Sequence, residues 1–204
     1  DYSLISPSHQ MVKGCFAGND WDQKNYEAYV NDSKIKLKNM NRKPVQVDKG
    51  KYRTWFEAAA VADFLGMFSW NGISEASLRQ GCSGFGRMRH EDIRLSSKLS
   101  LSEDFLPGFC PKFNSEGEVS RDSLILIKEG KLENSLVSSR SAKEYNLESN
   151  FAESGEYLRS PKMAPGNLNQ GEVLKELEKG LYLSNIHYLN WSDNSGGRIT
   201  GLTR

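Results

Sequence analysis

The sequence has 204 residues, of which 37% are hydrophobic and 26% are charged, a composition typical of a globular chain that can bury a core. Its formal net charge of +1 gives no general electrostatic reason to expect binding to nucleic acid or to a membrane surface. No apolar stretch approaches the roughly 20 residues that a membrane-spanning helix needs, and no signal peptide opens the chain. The cysteines Cys15, Cys82 and Cys110 fit neither a zinc knuckle nor a dense disulfide framework, which favours reduced thiols and a cytoplasmic location.

The first third of the chain predicts two helices and two short strands. Apolar residues recur at helical spacing between Tyr26 and Met40, and Asp20 or Asp22 is expected to cap this helix. Residues 44–47 and 52–55 predict two short strands on either side of a turn. The clearest helix is the alanine-rich stretch 58–68, which Gly72 ends.

The remainder of the chain has a mainly β pattern. Residues 92–137 predict several strands, with a buried strand over 124–127 and a tight hairpin at Glu129-Gly130. The polar stretch 138–171 predicts a long ordered loop, and such loops are usually functional. A short helix over 172–179 and one long aromatic strand over 181–191 follow. This order predicts an α+β fold with a mostly antiparallel sheet and a few short helices.

The two ends of the sequence indicate a fragment. The chain begins at Asp1 without a methionine and ends at Arg204, directly after a strand-like run. We predict that residues 1–80 are the end of an N-terminal or central α/β region that includes the alanine-rich helix. Residues 81–204 are then expected to be a β-rich C-terminal domain, truncated at its end.

Two motifs that could carry chemistry are incomplete. The histidines His9, His90 and His187 form no zinc-binding spacing with one another or with a cysteine. The glycine-rich stretch 81–86 lacks the lysine of a phosphate loop, and Phe85 stands where a serine elbow needs its second glycine. The stretch therefore predicts a flexible, close-packing loop.

The aromatic strand offers a candidate binding surface. Regular alternation would place His187 and Leu189 on one face and Tyr188 and Asn190 on the other. His187 is either a sheet histidine with a satisfied hydrogen bond or part of a binding groove. The strand itself is either a core strand with a polar outer face or an edge that accepts an extended peptide as an added strand. For peptide contact we predict Tyr188, Asn190, Trp191 and Asp193.

Several segments together resemble the TldD/PmbA family across nearly the whole chain. Residues 16–22 are similar to the family's G-x-D-W segment, and residues 188–193 with 197–204 are similar to its Y-L-N-x-x-D and G-x-x-T-G-x-T-R segments. The matching order and spacing carry the resemblance, since each segment is short. The other matching segments are 44–52, 58–65, 113–119, 126–132, 141–142, 167–168 and 180–182.

The resemblance implies a cytoplasmic peptidase system that degrades or matures unstructured peptides inside a closed dimer. In this family a TldD-type subunit holds zinc with the two histidines of a helical H-E-x-x-x-H motif and with a later cysteine. One coordination position remains for water, and the glutamate acts as general base. A PmbA-type subunit is similar in fold, lacks the motif and completes the chamber.

The sequence departs from the zinc motif at the positions that decide between these two subunits. The two histidines would fall near Gly66 and Asn71 and the glutamate near Met67, and none of these residues can replace them. The resemblance thus implies a PmbA-like subunit with no catalytic residue, metal site or cofactor of its own, and with zinc in a partner. Its partner would be a TldD-like homologous subunit or a second copy, its substrate an unstructured peptide, with no nucleic acid and no membrane.

Two other functions remain open from the sequence. The chain could be a non-enzymatic scaffold for peptide binding or dimerisation, or a peptidase with an unconventional site. Peptide hydrolysis by the pure subunit, with and without a chelator, separates these possibilities from a non-catalytic subunit.

Overall fold

The computed structural model describes residues 1–203, which form short helices and small, mostly antiparallel sheets. This confirms the predicted α+β fold. The chain divides into two compact units, the first over Asp1–Lys51 and the second beginning at Tyr52. The predicted boundary after residue 80 refers to the domains of a longer protein and stays a prediction. No helix within residues 1–203 is long and apolar enough to cross a membrane.

The first unit is a hairpin with one long helix. The Asp22 side chain accepts a hydrogen bond from the backbone nitrogen of Asn25 at 2.9 Å, so one of the two predicted caps is confirmed. The Tyr2 phenol from the hairpin lies 2.7 Å from the hydroxyl of Ser33, a buried residue of the helix. The elements are β1 (Tyr2–Ile5), β2 (Met11–Gly14) and α1 (Gln23–Met40).

The prediction of a strand over residues 44–47 is wrong. The side chains of Val45 and Val47 are 85% and 53% exposed, and the segment has no partner strand within residues 1–203. Pro44 also has no N–H to donate to a ladder. The second predicted strand forms as β3 (Thr54–Phe56), although it pairs in parallel with a later strand, Leu181–Leu183.

The alanine-rich helix is confirmed as α2 (Ala58–Ser69), with Leu65 and Phe68 buried in the core. Gly72 follows it, and a Cβ at this residue would lie 2.6 Å from the carbonyl oxygen of Phe68. Only glycine allows the chain to pass so close to the last turn of the helix. The sequence did not predict two further short helices, α3 (Glu75–Arg79) and α4 (Gly86–His90).

A four-stranded antiparallel sheet forms the centre of the second unit. Its strand β5 (Ser123–Lys128) contributes Leu126 and Ile127 to the core, and both side chains are fully buried. The hairpin at Glu129-Gly130 is confirmed, with φ of 47° and 79°, the left-handed pair that a tight hairpin turn requires. In spatial order the strands are β6 (Lys131–Leu132), β5 (Ser123–Lys128), β4 (Leu101–Asp104) and β7 (Pro161–Met163).

The prediction of a continuous loop over residues 138–171 is wrong in part, because the segment contains α5 (Ser139–Tyr145) as well as β7. The Ser138 hydroxyl caps α5 by accepting from the backbone nitrogen of Ser141 at 3.2 Å. Asn146 ends the helix in the left-handed conformation, with φ of 54°. The helix has almost no apolar residues, so the sequence shows no hydrophobic periodicity that would have predicted it.

Residues 170–203 contain one α-helix and three strands. The helix predicted over 172–179 is shorter in the structure, α6 (Val173–Leu177), and follows a 3₁₀ turn at Gln170–Glu172. The single strand predicted over 181–191 is wrong, because it is two strands with different partners. β8 (Leu181–Leu183) pairs with β3, whereas β9 (Ile186–Asp193) pairs with β10 (Arg198–Thr203) in an antiparallel hairpin.

Candidate functional site

The four predicted peptide-contact residues all lie on β9, which has an irregular ladder with β10. Tyr188 and Leu189 together oppose the single residue Gly201. This two-against-one arrangement is a β-bulge. Tyr188 itself has φ of 51°, outside the extended region that the rest of a strand occupies.

The bulge changes which side chains of β9 share a face. Ile186 is buried and Leu189 and Trp191 are half-buried, whereas His187 and Asn190 are exposed. The predicted common face of His187 and Leu189 is therefore wrong. A regular strand would alternate at every residue, and the extra residue of the bulge shifts this alternation by one position.

Trp191 anchors β9 to the core of the second unit. Its indole N–H donates to the carbonyl oxygen of Trp70 at 2.6 Å. Its ring packs edge-on against Phe85, with centroids 6.3 Å apart and an interplanar angle of 88°. A Cβ at Gly84 would lie 2.6 Å from the indole, so the glycine-rich stretch 81–86 packs closely, as predicted.

Asp193 holds the turn between β9 and β10. Its Oδ1 accepts from the backbone nitrogen of Gly196 at 2.9 Å and from the hydroxyl of Ser195 at 3.0 Å. Arg198 lies across the turn, with Nη2 3.3 Å from Oδ2. The hydrogen bonds from Gly196 and Ser195, together with Arg198, lower the pKa of Asp193. The carboxylate is therefore charged at neutral pH and engaged within the hairpin.

Tyr188 and Asn190 remain available for contact with a ligand. The Tyr188 side chain is 85% exposed, and Asn190 is also exposed. Neither side chain hydrogen-bonds to another residue in the described part of the chain. The structure thus separates the predicted set into two solvent-facing residues and two with intramolecular partners. Peptide contact by all four stays a prediction.

The residues at the zinc-motif positions do not fit a metal. Gly66 has no side chain, and a Cβ placed there would meet no atom within 4 Å. Met67 is only 4% exposed, and the side-chain oxygen of Asn71 lies 3.4 Å from the hydroxyl of Ser77. Across residues 1–203, no group of three or more His, Cys, Asp or Glu side chains is placed to hold a metal ion. Zinc chemistry through these positions therefore has no support from the donor set.

Sequence reasoning missed a buried charged cluster near the start of α3. Arg89 lies 2.7 Å and Arg79 2.8 Å from the carboxylate of Glu75, which is 2% exposed. Ser135 donates to the same carboxylate at 2.5 Å. Burial alone would raise the pKa of Glu75, but the hydrogen bonds from Arg89, Ser135 and Arg79 lower it to about 2. The sequence signal was Ser74, a helix-capping residue directly before Glu75.

Glu156 is a second buried carboxylate that the sequence did not single out, and it is 1% exposed. Its Oε2 accepts from the Ser74 hydroxyl at 2.6 Å and from the Ala76 nitrogen at 2.8 Å. Its Oε1 accepts from both the nitrogen and the hydroxyl of Ser138 at 3.0 Å. The carboxylate thereby joins the starts of α3 and α5. Burial favours a higher pKa for Glu156, but these hydrogen bonds lower it. The largest lowering effect comes from the hydrogen bond of the Ser138 nitrogen.

Solved structures share this fold at low sequence identity. TldE from Thermococcus kodakarensis superposes with a TM-score of 0.64 and 19% identity, over 79% of this chain and 38% of that one. A proposed modulator of DNA gyrase from Bacteroides thetaiotaomicron superposes with a TM-score of 0.63 and 18% identity, over 87% of this chain and 42% of that one. Another proposed modulator of DNA gyrase, from Thermotoga maritima, superposes with a TM-score of 0.59 and 18% identity, over 70% of this chain and 34% of that one. The chain thus spans 34–42% of the length of these three proteins.

The family of this chain is shown by a match to a sequence-family model, because structures at 18–19% identity show only the fold. No curated protein sequence matches the chain. The model described as "PmbA/TldA metallopeptidase C-terminal domain" matches residues 49–203, which is more than half of the chain. It covers the alanine-rich helix, the central sheet and the hairpin of β9 and β10. The chain therefore belongs to the TldD/PmbA family of metallopeptidase proteins.

Proposed function

We propose that this chain is part of a PmbA-like, non-catalytic subunit of a TldD/PmbA-type metallopeptidase complex that acts on unstructured peptides. Family membership places it among metallopeptidase proteins. The observation that carries the non-catalytic role is the set of residues at the zinc-motif positions. Gly66, Met67 and Asn71 supply neither an imidazole ligand nor a carboxylate that could act as general base.

The packing of α2 supports this role. Met67 points into the core, so even a glutamate at this position would replace a buried thioether with a carboxylate away from solvent. Gly66 lies on the exposed side of the helix, where its environment imposes no requirement for a side chain. The helix therefore serves packing, and we propose that a TldD-like subunit, or a second copy within a larger assembly, completes the chamber and that zinc resides in the catalytic partner.

We propose that the peptide binds along the hairpin of β9 and β10. An extended peptide can add to a strand edge through main-chain hydrogen bonds, with side chains giving selectivity. The exposed side chains of Tyr188 and Asn190 support this placement. Trp191 and Asp193 then contribute by fixing the hairpin, through the bonds to Trp70 and to the turn.

A cytoplasmic location is also part of the proposal. Cys15, Cys82 and Cys110 are all free thiols, as expected in a reducing compartment. The near-neutral net charge of +1 agrees with a peptide substrate and gives no reason to invoke nucleic acid or a membrane surface.

The test is a pull-down of the full-length protein from its source cell, followed by zinc analysis and peptide cleavage assays on the eluate. We expect a zinc-bearing homologue to co-purify and the pair to cleave an unstructured peptide in a chelator-sensitive manner. The subunit purified alone is expected to hold no tightly bound zinc and to cleave nothing. One tightly held equivalent of zinc, or cleavage by the single subunit, would contradict the proposal.

One observation favours a second function, that of a non-enzymatic scaffold. The loop between β4 and β5 exposes four apolar side chains, which is more than an isolated chain needs. Arg159 holds this loop by donating to the carbonyl oxygen of Phe113 at 2.5 Å, so the apolar side chains are presented in a fixed arrangement. Recovery of a protein complex without zinc and without peptidase activity would favour this function. The exposed residues are Leu106, Phe109, Phe113 and Val119.

A further inference from the structure

Tyr188 holds an aromatic ring in solvent. At 85% exposure it is the most exposed aromatic residue in the described chain. Its φ of 51° costs a non-glycine residue about 1 kcal/mol. The ring has no aromatic neighbour or hydrogen-bond partner within residues 1–203. Neither the backbone nor the ring of Tyr188 thus stabilises the chain by itself.

The bulge lies at the residue that carries this exposed ring. A Cβ at Gly201 would lie 2.7 Å from Cδ2 of Leu189, so Leu189 already occupies the space opposite the glycine. Tyr188, the other residue that opposes Gly201, is turned outward. Bulges are known to redirect side chains next to binding sites. The direction of the ring is therefore set by the backbone.

The hairpin segment that carries the ring has no net charge. Between Ile186 and Thr203 the only residues with full charges are Asp193 and Arg198, which form an ion pair with each other. The exposed neighbours His187 and Asn190 are polar. A neutral segment with a free phenol ring suits an uncharged side chain that can stack, because a charged one would lose hydration without gaining an opposite charge.

We propose that Tyr188 is a specificity-determining residue that selects peptides with an aromatic side chain beside the segment bound along β9, an inference that rests on the proposed peptide-binding function. Main-chain pairing with a strand edge is independent of sequence. Stacking on Tyr188 adds a preference of about five-fold in Kd for an aromatic over a small polar side chain.

The test uses the full-length protein with its co-purified partner and two fluorescent unstructured peptides of glycine and serine. One peptide carries a single central phenylalanine, and the other carries serine at that position. Fluorescence anisotropy is expected to give the wild type a Kd about five-fold lower for the phenylalanine peptide. In Tyr188→Asn the preference is expected to be lost, so that the two peptides bind with the same Kd. Asparagine tolerates the left-handed conformation well, so this variant is expected to fold.

Two further variants serve as controls. Tyr188→Phe keeps the ring and is expected to keep the preference. Phe109→Asn removes another exposed ring, 72% exposed in a different loop, and is also expected to keep it. A wild type without the preference, or a Tyr188→Asn variant that retains it, overturns the inference and leaves peptide binding intact. If the wild type binds neither peptide, the proposed function falls together with the inference.

Discussion

At the scale of single residues, Glu156 is expected to be important for stability because one side chain satisfies donors from two helix starts. Replacement of Glu156 by glutamine would turn an amide NH₂ toward donors that need an acceptor, in a site that is 1% exposed. We expect the free energy of unfolding to fall by about 2 kcal/mol. Urea denaturation followed by circular dichroism measures this change.

The matched control is Glu148→Gln, which changes the same functional group on the surface. The carboxylate of Glu148 forms an exposed ion pair with Arg121, and its side chain is 84% exposed. We expect a change within about 0.5 kcal/mol. Equal effects of the two substitutions would show that Glu156 does not have the structural role assigned to it.

At the scale of elements, the turn of the β5–β6 hairpin carries an unfavourable residue. Glu129 has φ of 47°, and Gly130 follows it with 79°. Because asparagine adopts the left-handed conformation more readily than glutamate, Glu129→Asn is expected to stabilise the protein by about 0.5–1 kcal/mol. Thermal denaturation is the measurement. Glu116→Asn, in a turn where φ is not positive, should leave the midpoint unchanged, and an equal rise in both variants would contradict the explanation.

The elements also show what sequence patterns can and cannot predict. The alanine-rich α2 and the Glu129-Gly130 hairpin were predictable, since periodicity and turn chemistry are local properties. Helix α5 was missed because it is polar, and its start depends on Ser138 and on the distant Glu156. The strand over 181–191 was predicted as one element because its division depends on two different partners, which local sequence does not encode.

The candidate site was predictable as a strand but not in its details. Aromatic and polar residues indicated strand structure in this segment, although not its division into β8 and β9. Which residues face solvent depends on the bulge opposite Gly201, and a bulge shifts every side chain beyond it. The contact between Trp191 and Trp70 joins residues that are 121 positions apart, so no local pattern could reveal it.

At the scale of the whole molecule, the buried carboxylates set the response to acid. The pKa of Glu75 is about 2 in the folded chain against an ordinary value of 4.5. Its stabilising contribution is therefore complete above about pH 4.5 and is lost as the pH falls toward 2. The pKa of Glu103 is raised by burial, so its ionisation opposes folding as the pH rises above its ordinary value. The two groups act in opposite directions.

The substitution Glu75→Gln isolates the acid-dependent part of this balance. At neutral pH we expect a loss of about 3 kcal/mol, from the pKa difference of Glu75. The difference between wild type and variant should shrink as the pH is lowered from 4.5 to 2, because the wild-type carboxyl then becomes protonated too. Urea denaturation over this pH range gives the measurement. A difference that is independent of pH would contradict the role assigned to the ionised carboxylate.

Tyr188 is the extra residue of the bulge in β9, so the packing of the other residues of β9 does not depend on its exposed ring. Without Tyr188, the order Ile186, His187, Leu189, Asn190 and Trp191 would alternate inward and outward as a regular strand does. The loss of this one residue would therefore remove the irregularity opposite Gly201 and leave Trp191 in place, while the second irregularity of the ladder, at Ser192, would remain. A single insertion or deletion would therefore add or remove this exposed ring without changing how Ile186, Leu189 and Trp191 pack.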